Sequence, residues 1–274
     1  RMYAAKAASL PKPTKWFTAG PFFRAERPQR GRLREFLQWN CDVIGVSLPE
    51  NPTDHDVFEA KAQADADIIV CCIDLFQNLG FTPETLRVKL NDRSAFEQKL
   101  LKHGAAINQL AACYGLLDKR SKLSTREFDA EGLRLGLPDL IVQILATAHQ
   151  ANISFTSRGL SDAKMIVDID CITKMKPLAQ KLEAAGVSDW CRLDTTIVRG
   201  LAYYTGTVFE VIVDNERAVA GGGRYDNLIE MFGGPPTPAV GFGMGDVVLS
   251  LVLQDKGLMP SDAELMGIAG QWPD

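Results

Sequence analysis

The 274-residue chain has little of what most directly announces a chemistry. It has three histidines (His55, His103 and His149), too few and too scattered for a His-rich metal site. Its six cysteines form no Cys-x-x-Cys pair. Most of them lie among apolar neighbours, and Cys71-Cys72 sit in a helical run, so they read as buried free thiols of a reducing compartment. No apolar run reaches the ~18 residues of a membrane span. The most apolar segment, Ile68 to Phe76, is short and flanked by acids. Nothing resembles a signal peptide: the chain opens on Arg1-Met2-Tyr3 and continues as a helix-like stretch. It therefore reads as a fragment or processed piece of a cytoplasmic protein with no membrane partner. Positive charge is not in excess, since 30 Lys and Arg face 34 Asp and Glu. The net charge of −4 gives no overall reason to bind nucleic acid, though a local basic surface stays open. No Ser-His-Asp or Cys-His set stands out. The glycine run at 221–223 lacks Gly-Lys-Ser/Thr and the dinucleotide fingerprint spacing. There is no internal repeat and no low-complexity block.

What is present is ordinary globular material, 46% apolar and 23% charged, enough for one large domain or two modest ones. Met2 to Leu10 is helix-prone and stopped by Pro11 and Pro13. Lys15 to Glu26 reads as a strand interrupted at Gly20-Pro21, and Glu35 to Val46 as the returning strand of a long-looped antiparallel hairpin. Thr53 to Gly80 reads as a helix capped by Thr53 or Asp54 and ended by Gly80. Leu86 to Leu90 alternates as a strand, and Arg93 to His103 follows as a helix. A helical module is expected over 104–161, between a first core part at 1–103 and a second at 162–274. The second part predicts strands at Ala163–Ile169, Leu193–Val198, Val208–Val213 and Pro238–Met244. It also predicts helices at Lys174–Ala185, Asn227–Phe232 and Val247–Gln254, then a polar tail without an element. Hairpin-joined strands with helices grouped elsewhere argue for an α+β fold on an antiparallel sheet.

Three stretches could carry chemistry. In the first, Arg24 and Glu26 share a strand face, and Arg34, Phe36 and Gln38 share one on the return strand. Guanidinium groups bind phosphate oxygens, a phenyl ring stacks on a flat base, and a carboxylate accepts from an exocyclic amine. This is either a nucleotide site or a solvated hairpin laced with salt bridges. The second comprises two glycine-rich strands, 220–226 and 241–245, which offer side-chain-free troughs or simply tight turns. The third, Arg199 to Glu210, packs a cation, two tyrosines and two glycines into eight positions between β-branched runs. Tyr203 and Tyr204 point opposite ways in a regular strand, so at most one of them faces a given pocket unless a bulge intervenes.

These stretches together resemble the histidyl-tRNA synthetases. RGLAYYTGTVFE (199–210) is similar to the family's histidine-binding signature, and FFRAERPQRGRLREFLQ (22–38) to class II motif 2. AGGGRYDNLI (220–229) and PAVGFGMGDVVL (238–249) resemble the second histidine segment and motif 3. The resemblance implies a class II antiparallel sheet with an inserted helical domain. It also implies activation of histidine by ATP, with Mg2+, and transfer to tRNA(His) by a cytoplasmic homodimer. On matching positions, Arg24 and Arg199 are the implied catalytic cations, with Arg24, Glu26, Arg34 and Phe36 around ATP. Gln38 and Asp42 would hold the histidine amino end. Tyr204 and Tyr225 would close on the imidazole, and Arg199, Tyr203 and Gly222 complete the histidine set. Arg27, Gln29, Arg30 and Arg32 would face the tRNA acceptor end. No metal is assigned to protein side chains.

The sequence departs from the family pattern where motif 3 usually carries an arginine against the ATP base: Val248 stands there. Motif 1, its neighbouring acidic residue and the anticodon-binding domain are expected outside this stretch. The competing reading is a non-catalytic paralogue, the histidine-sensing regulatory subunit of ATP phosphoribosyltransferase. The departure at Val248 favours it, and the intact Arg24, Arg199 and 26–32 loop oppose it.

Overall fold

A computed structural model describes residues 1–25, 27, 33–148, 153–163, 169–197, 203–214 and 218–269. Among them an eight-stranded sheet runs in the order β1 (Thr14–Phe23), β2 (Glu35–Ile44), β8 (Ala239–Gly245), β7 (Ala218–Arg224), β6 (Thr207–Val213), β3 (Leu86–Asp92), β5 (Cys191–Leu193) and β4 (Ile153–Ser154). The expected hairpin is β1–β2, paired in register from Thr14↔Ile44 to Phe23↔Glu35. Gly20-Pro21 does not interrupt β1. This is an edge strand, where a missing donor is tolerated.

One correction concerns the sheet's direction. β3 and β5 pair in parallel, Val88↔Cys191 to Leu90↔Leu193, while the other pairings are antiparallel. The sheet is therefore mixed. A second concerns Leu193–Val198: the strand is Cys191–Leu193, and Asp194–Ile197 leave the ladder in a turn closed by Ile197 N–H to Asp194 O at 3.1 Å. The strand expected at Ala163–Ile169 falls mostly on 164–168, outside the described residues. Ile169 itself begins a helix, α8 (Ile169–Ala184), earlier than expected. The tail carries a helix at Asp262–Ala269 that the polar reading missed.

Helix α2 (Asp54–Asn78) covers one face of the sheet. Thr53 and Asp56 form a capping box: the Asp56 amide donates to the Thr53 hydroxyl at 3.2 Å, and the Thr53 amide to Asp56 at 2.8 Å. Ile69, Cys72, Ile73 and Phe76 repeat at helical spacing and are fully buried. Each of the larger three contributes about 1.5–3 kcal/mol by leaving water. They join Val88, Leu90, Phe209, Val211, Val240 and Phe242 in the main core. The odd residues of β6 and the even residues of β2's neighbour β8 therefore point to α2, and their alternates point to the opposite face.

A second apolar cluster gathers Phe96, Leu100, Leu116, Phe128, Ile141 and Leu145. These residues come from α3 (Arg93–Lys102), α4 (Leu110–Asp118), α5 (Thr125–Arg134) and α6 (Asp139–Thr147). A third, smaller cluster holds Tyr3, Ile44, Tyr225 and Ala239 on the sheet face away from α2. The six cysteines are free thiols; five are buried and Cys71 is exposed. No described helix is long and apolar enough to cross a membrane.

Candidate active site

The face away from α2 is a trough. Strand β2 contributes Phe36, Gln38, Asn40 and Asp42, one from every second position. Opposite them in register lie Gly245 (Gln38), Gly243 (Asn40) and Gly241 (Asp42) of β8, then Gly221 (Gly243) and Gly223 (Gly241) of β7. At Gly241, Gly243 and Gly223 a side chain is excluded because the space is already used. A Cβ on Gly243 would sit 2.5 Å from the Gln38 amide nitrogen and 2.7 Å from the Asn40 carboxamide oxygen. One on Gly241 would run into the Asp42 carboxylate. The floor is thus bare backbone, crossed by the β2 side chains. Glu210 closes the far side, its Cγ 3.9 Å from where a Gly221 Cβ would stand.

Aromatic rings close the near side. The Tyr225 hydroxyl donates to Asp42. The ring centroids of Tyr203 and Tyr204 lie 5.0 Å apart at 66°, and those of Tyr203 and Tyr225 lie 6.0 Å apart at 86°. Tyr203 and Tyr204 sit in a turn before β6 and not in a strand, so alternation does not separate them. Both pack on the cluster that contains Tyr225. Burial pushes the Asp42 carboxyl up, against the pull of the Tyr225 hydroxyl. Burial, then the Asp42 charge, pushes the Tyr225 hydroxyl up and keeps it a proton donor. Tyr204 is raised by burial and by Tyr203, and Tyr203 by burial.

At the β1–β2 hairpin end, the Arg24 guanidinium stands 4.0 Å over the Phe36 ring, a cation–π contact. The Arg24 amide donates to the Arg34 carbonyl at 2.9 Å, keeping the hairpin paired beyond the strands. Arg34 and Arg27 are exposed. Val248 lies on α10 (Asp246–Asp255) and packs against the main core, so the cation over Phe36 is Arg24.

Of the expected site residues, Arg24, Phe36, Gln38, Asp42, Tyr203, Tyr204 and Tyr225 line this one face. Gly222 does not. It is in register with Phe242 and Phe209, and a Cβ there would lie 2.7 Å from Phe242 Cβ and 2.8 Å from Phe209 Cζ, in the core. Only its backbone borders the trough. Glu26, Gln29, Arg30, Arg32 and Arg199 lie outside the described residues. Sequence reasoning missed Asn40 and Glu210. The alternation Gln38-x-Asn40-x-Asp42 places Asn40 on the site face, and the register of β6 does the same for Glu210.

A mixed sheet with this long hairpin, a bare-backbone trough beside it and helices behind defines a class II aminoacyl-tRNA synthetase catalytic fold. Histidyl-tRNA synthetase from Nostoc sp. PCC 7120 shares it, with a TM-score of 0.69 at 21% identity over 94% of this chain and 58% of that one. The family model described as histidyl-tRNA synthetase matches residues 1–246, and the chain belongs to that family. It is 35% identical over 270 residues to the histidine–tRNA ligase of Halobacterium salinarum, covering 96% of this chain and 58% of the relative. It is 33% identical over 267 residues to the chloroplastic/mitochondrial histidine–tRNA ligase of Arabidopsis thaliana, covering 95% and 50%. The chain thus spans 50–58% of the length of these relatives.

Proposed function

We propose that this chain is the catalytic core of a histidine–tRNA ligase. The observation that carries the reading is the trough itself: a carboxylate ringed by three tyrosines at one end, a phenyl–guanidinium pair at the other, and bare glycine backbone between. A flat, hydrogen-bonding ring suits the first end, and a nucleotide suits the second.

In this reading histidine's carboxylate oxygen bonds to the α-phosphorus of magnesium-bound ATP as the bond to pyrophosphate breaks. The nucleophile is already ionised at neutral pH, so no general base is needed. What the protein must supply is orientation and positive charge on the phosphoryl oxygens. Arg24 and Arg199 are the proposed cations. Phe36 offers the base a platform, with Glu26 for its amine and Arg34 near the phosphates. Because Tyr225 donates to Asp42, the carboxylate belongs to the tyrosine end. We therefore assign Asp42 to the ring end of histidine, a departure from the amino-end role expected above. Gln38, together with Asn40, is left to the ammonium end. Arg27, Gln29, Arg30 and Arg32 are proposed to face tRNA(His), and residues 104–161 to form an inserted module. A cytoplasmic homodimer is the proposed setting.

Histidine-dependent ATP–pyrophosphate exchange by the full-length protein is the test. Exchange that requires histidine supports the reading. Histidine binding without exchange overturns it in favour of the regulatory paralogue, which would also bind a phosphoribosyltransferase catalytic chain in a histidine-dependent way.

A further inference from the structure

Beneath the trough, on the α2 side of the sheet, lies a buried ion cluster that none of the chemistry above uses. Arg224 ends β7 and is 5% exposed; Asp65 of α2 is 4% exposed. The guanidinium meets Asp65 side-on, through Nη2 to Oδ1 at 2.7 Å and Nε to Oδ2 at 3.3 Å. Nη2 also donates to the Lys61 carbonyl at 2.6 Å, and Nη1 to Asp226 at 2.9 Å. The Thr207 hydroxyl donates to Asp65 at 2.8 Å, and the Lys61 ammonium pairs with Asp226 at 2.8 Å. The Arg224–Asp65 pair is therefore taken out of water, while Asp226 and Lys61 at its edge keep 18% and 32% of their side-chain exposure. Burying such a pair is seldom favourable for stability alone, because the desolvation cost rivals the attraction. Burial pushes the Asp65 carboxyl up, against the pull of Arg224 and Thr207.

Its connections lead to the pocket. The Arg224 carbonyl accepts from the Thr205 amide at 2.8 Å, directly after Tyr203-Tyr204. A Cβ on Gly206 would rest on the Arg224 stem, 3.3 Å from Cδ. The Asp226 amide donates to the Thr205 hydroxyl at 3.1 Å, and the Asp226 carboxylate accepts from the Ala239 amide at 3.1 Å. Between these two anchors sits Tyr225, whose amide donates to the Ala239 carbonyl at 2.8 Å. Its side chain points the other way, to Asp42. Arg224 thus braces both halves of the aromatic wall: its backbone carbonyl holds the turn that carries Tyr203 and Tyr204, and its guanidinium, through Asp226, holds the strand end that carries Tyr225.

We infer that Asp65, Arg224 and Thr207 are positioning residues that set the aperture of the aromatic pocket from the far side of the sheet. A shift of Arg224, whose place is fixed by its guanidinium's bonds to Asp65, moves Thr205 and Tyr225 together, which changes the spacing of the rings about Asp42. Ligand affinity at that end then depends on groups that never touch the ligand.

The test builds on the histidine-site reading and uses two readouts in the full-length protein, so that the two can fail separately. The first is amide hydrogen exchange over 203–206, which needs no ligand. In Asp65→Asn, and in Thr207→Val, this turn should exchange about tenfold or more faster while the β3 and β8 amides keep their protection. The second is histidine affinity by calorimetry. Hydrogen bonds to charged groups set the scale, a loss of about tenfold to a hundredfold for Asp65→Asn and severalfold for Thr207→Val. The KM for ATP stays within about twofold if only the pocket end has moved. Thr207→Ser, which keeps the hydroxyl, restores both readouts. If Asp65→Asn fails to fold, Thr207→Val against Thr207→Ser decides. Unchanged exchange in a folded Thr207→Val protein overturns the inference, as does equal loss of histidine and ATP affinity. Wild-type protein that binds no histidine overturns the site reading, while the exchange measurement still decides the positioning role.

Discussion

Two glycines that are near neighbours in the fold should respond to the same methyl group in different ways. Gly222→Ala puts a Cβ between Phe209 Cζ at 2.8 Å and Phe242 Cβ at 2.7 Å, and against the Gly241 carbonyl. All are core or backbone atoms that cannot swing aside, so overpacking should cost about 2–3 kcal/mol. For a chain of this size that lowers the melting midpoint by roughly 4–5 °C. Gly243→Ala meets only the ends of Gln38 and Asn40, at 2.5 and 2.7 Å. Both can rotate, at about 0.5–1.5 kcal/mol for an off-rotamer side chain. The loss of unfolded-state freedom returns about 0.4–1 kcal/mol. Net stability should therefore fall by about 1.3 kcal/mol at the middle of these ranges, about half the Gly222→Ala cost, while the displaced amides occupy the trough and histidine affinity falls tenfold or more. Thermal denaturation and titration calorimetry on both variants measure the two effects. If Gly243→Ala melted as low as Gly222→Ala and bound histidine normally, the two-faced reading of these strands would fail.

Three further outcomes are expected. Arg199→Ala should slow adenylate formation far more than it weakens histidine binding, as single-turnover and equilibrium measurements can show; equal losses would argue against a transition-state role. Asp42→Asn should abolish histidine binding without lowering stability at neutral pH. Burial raises the Asp42 carboxyl above its ordinary 3.8, so the folded state holds the proton more tightly and pays for the charge as pH rises. Wild-type stability should fall as pH climbs from 3.8 through the raised value, and denaturant titrations of Asp42→Asn should lack that slope. Phe128→Ala, at a fully buried position, should cost about 3–5 kcal/mol. If residues 104–161 form a separate unit, hydrogen exchange will localise the loss to the second apolar cluster, whereas a uniform loss would make the chain one cooperative body.

The parts most legible in the sequence were those with strong local signals. The hairpin, the capped helix after Thr53 and the strand at Leu86 follow from period and capping, and they appear within a few residues of expectation. The four motifs were informative because described residues of all four fold onto one face. What was hidden depended on register. Alternation inside β7 sends Gly221 and Gly223 to the trough but Gly222 and Arg224 to the core, and no property of a glycine run marks which is which. Asp65 carries no local mark of its role in the sequence, yet it occupies a core position between Ala62 and Ile69. Its partner lies 159 positions away. The tyrosines were read as strand neighbours, and they instead share a turn whose shape comes from contacts with Arg224.

The parallel pairing of β3 and β5 also bears on how this enzyme family can change. Residues 93–190 all run between two strands that lie side by side. A tight antiparallel hairpin tolerates no such detour, but a parallel pair requires a long crossover in any case. Further length costs little, about 0.6 kcal/mol per doubling of a flexible loop. The crossover is therefore a port at which helical cargo can be exchanged, enlarged or trimmed over generations. The strands that carry the trough would keep their register throughout.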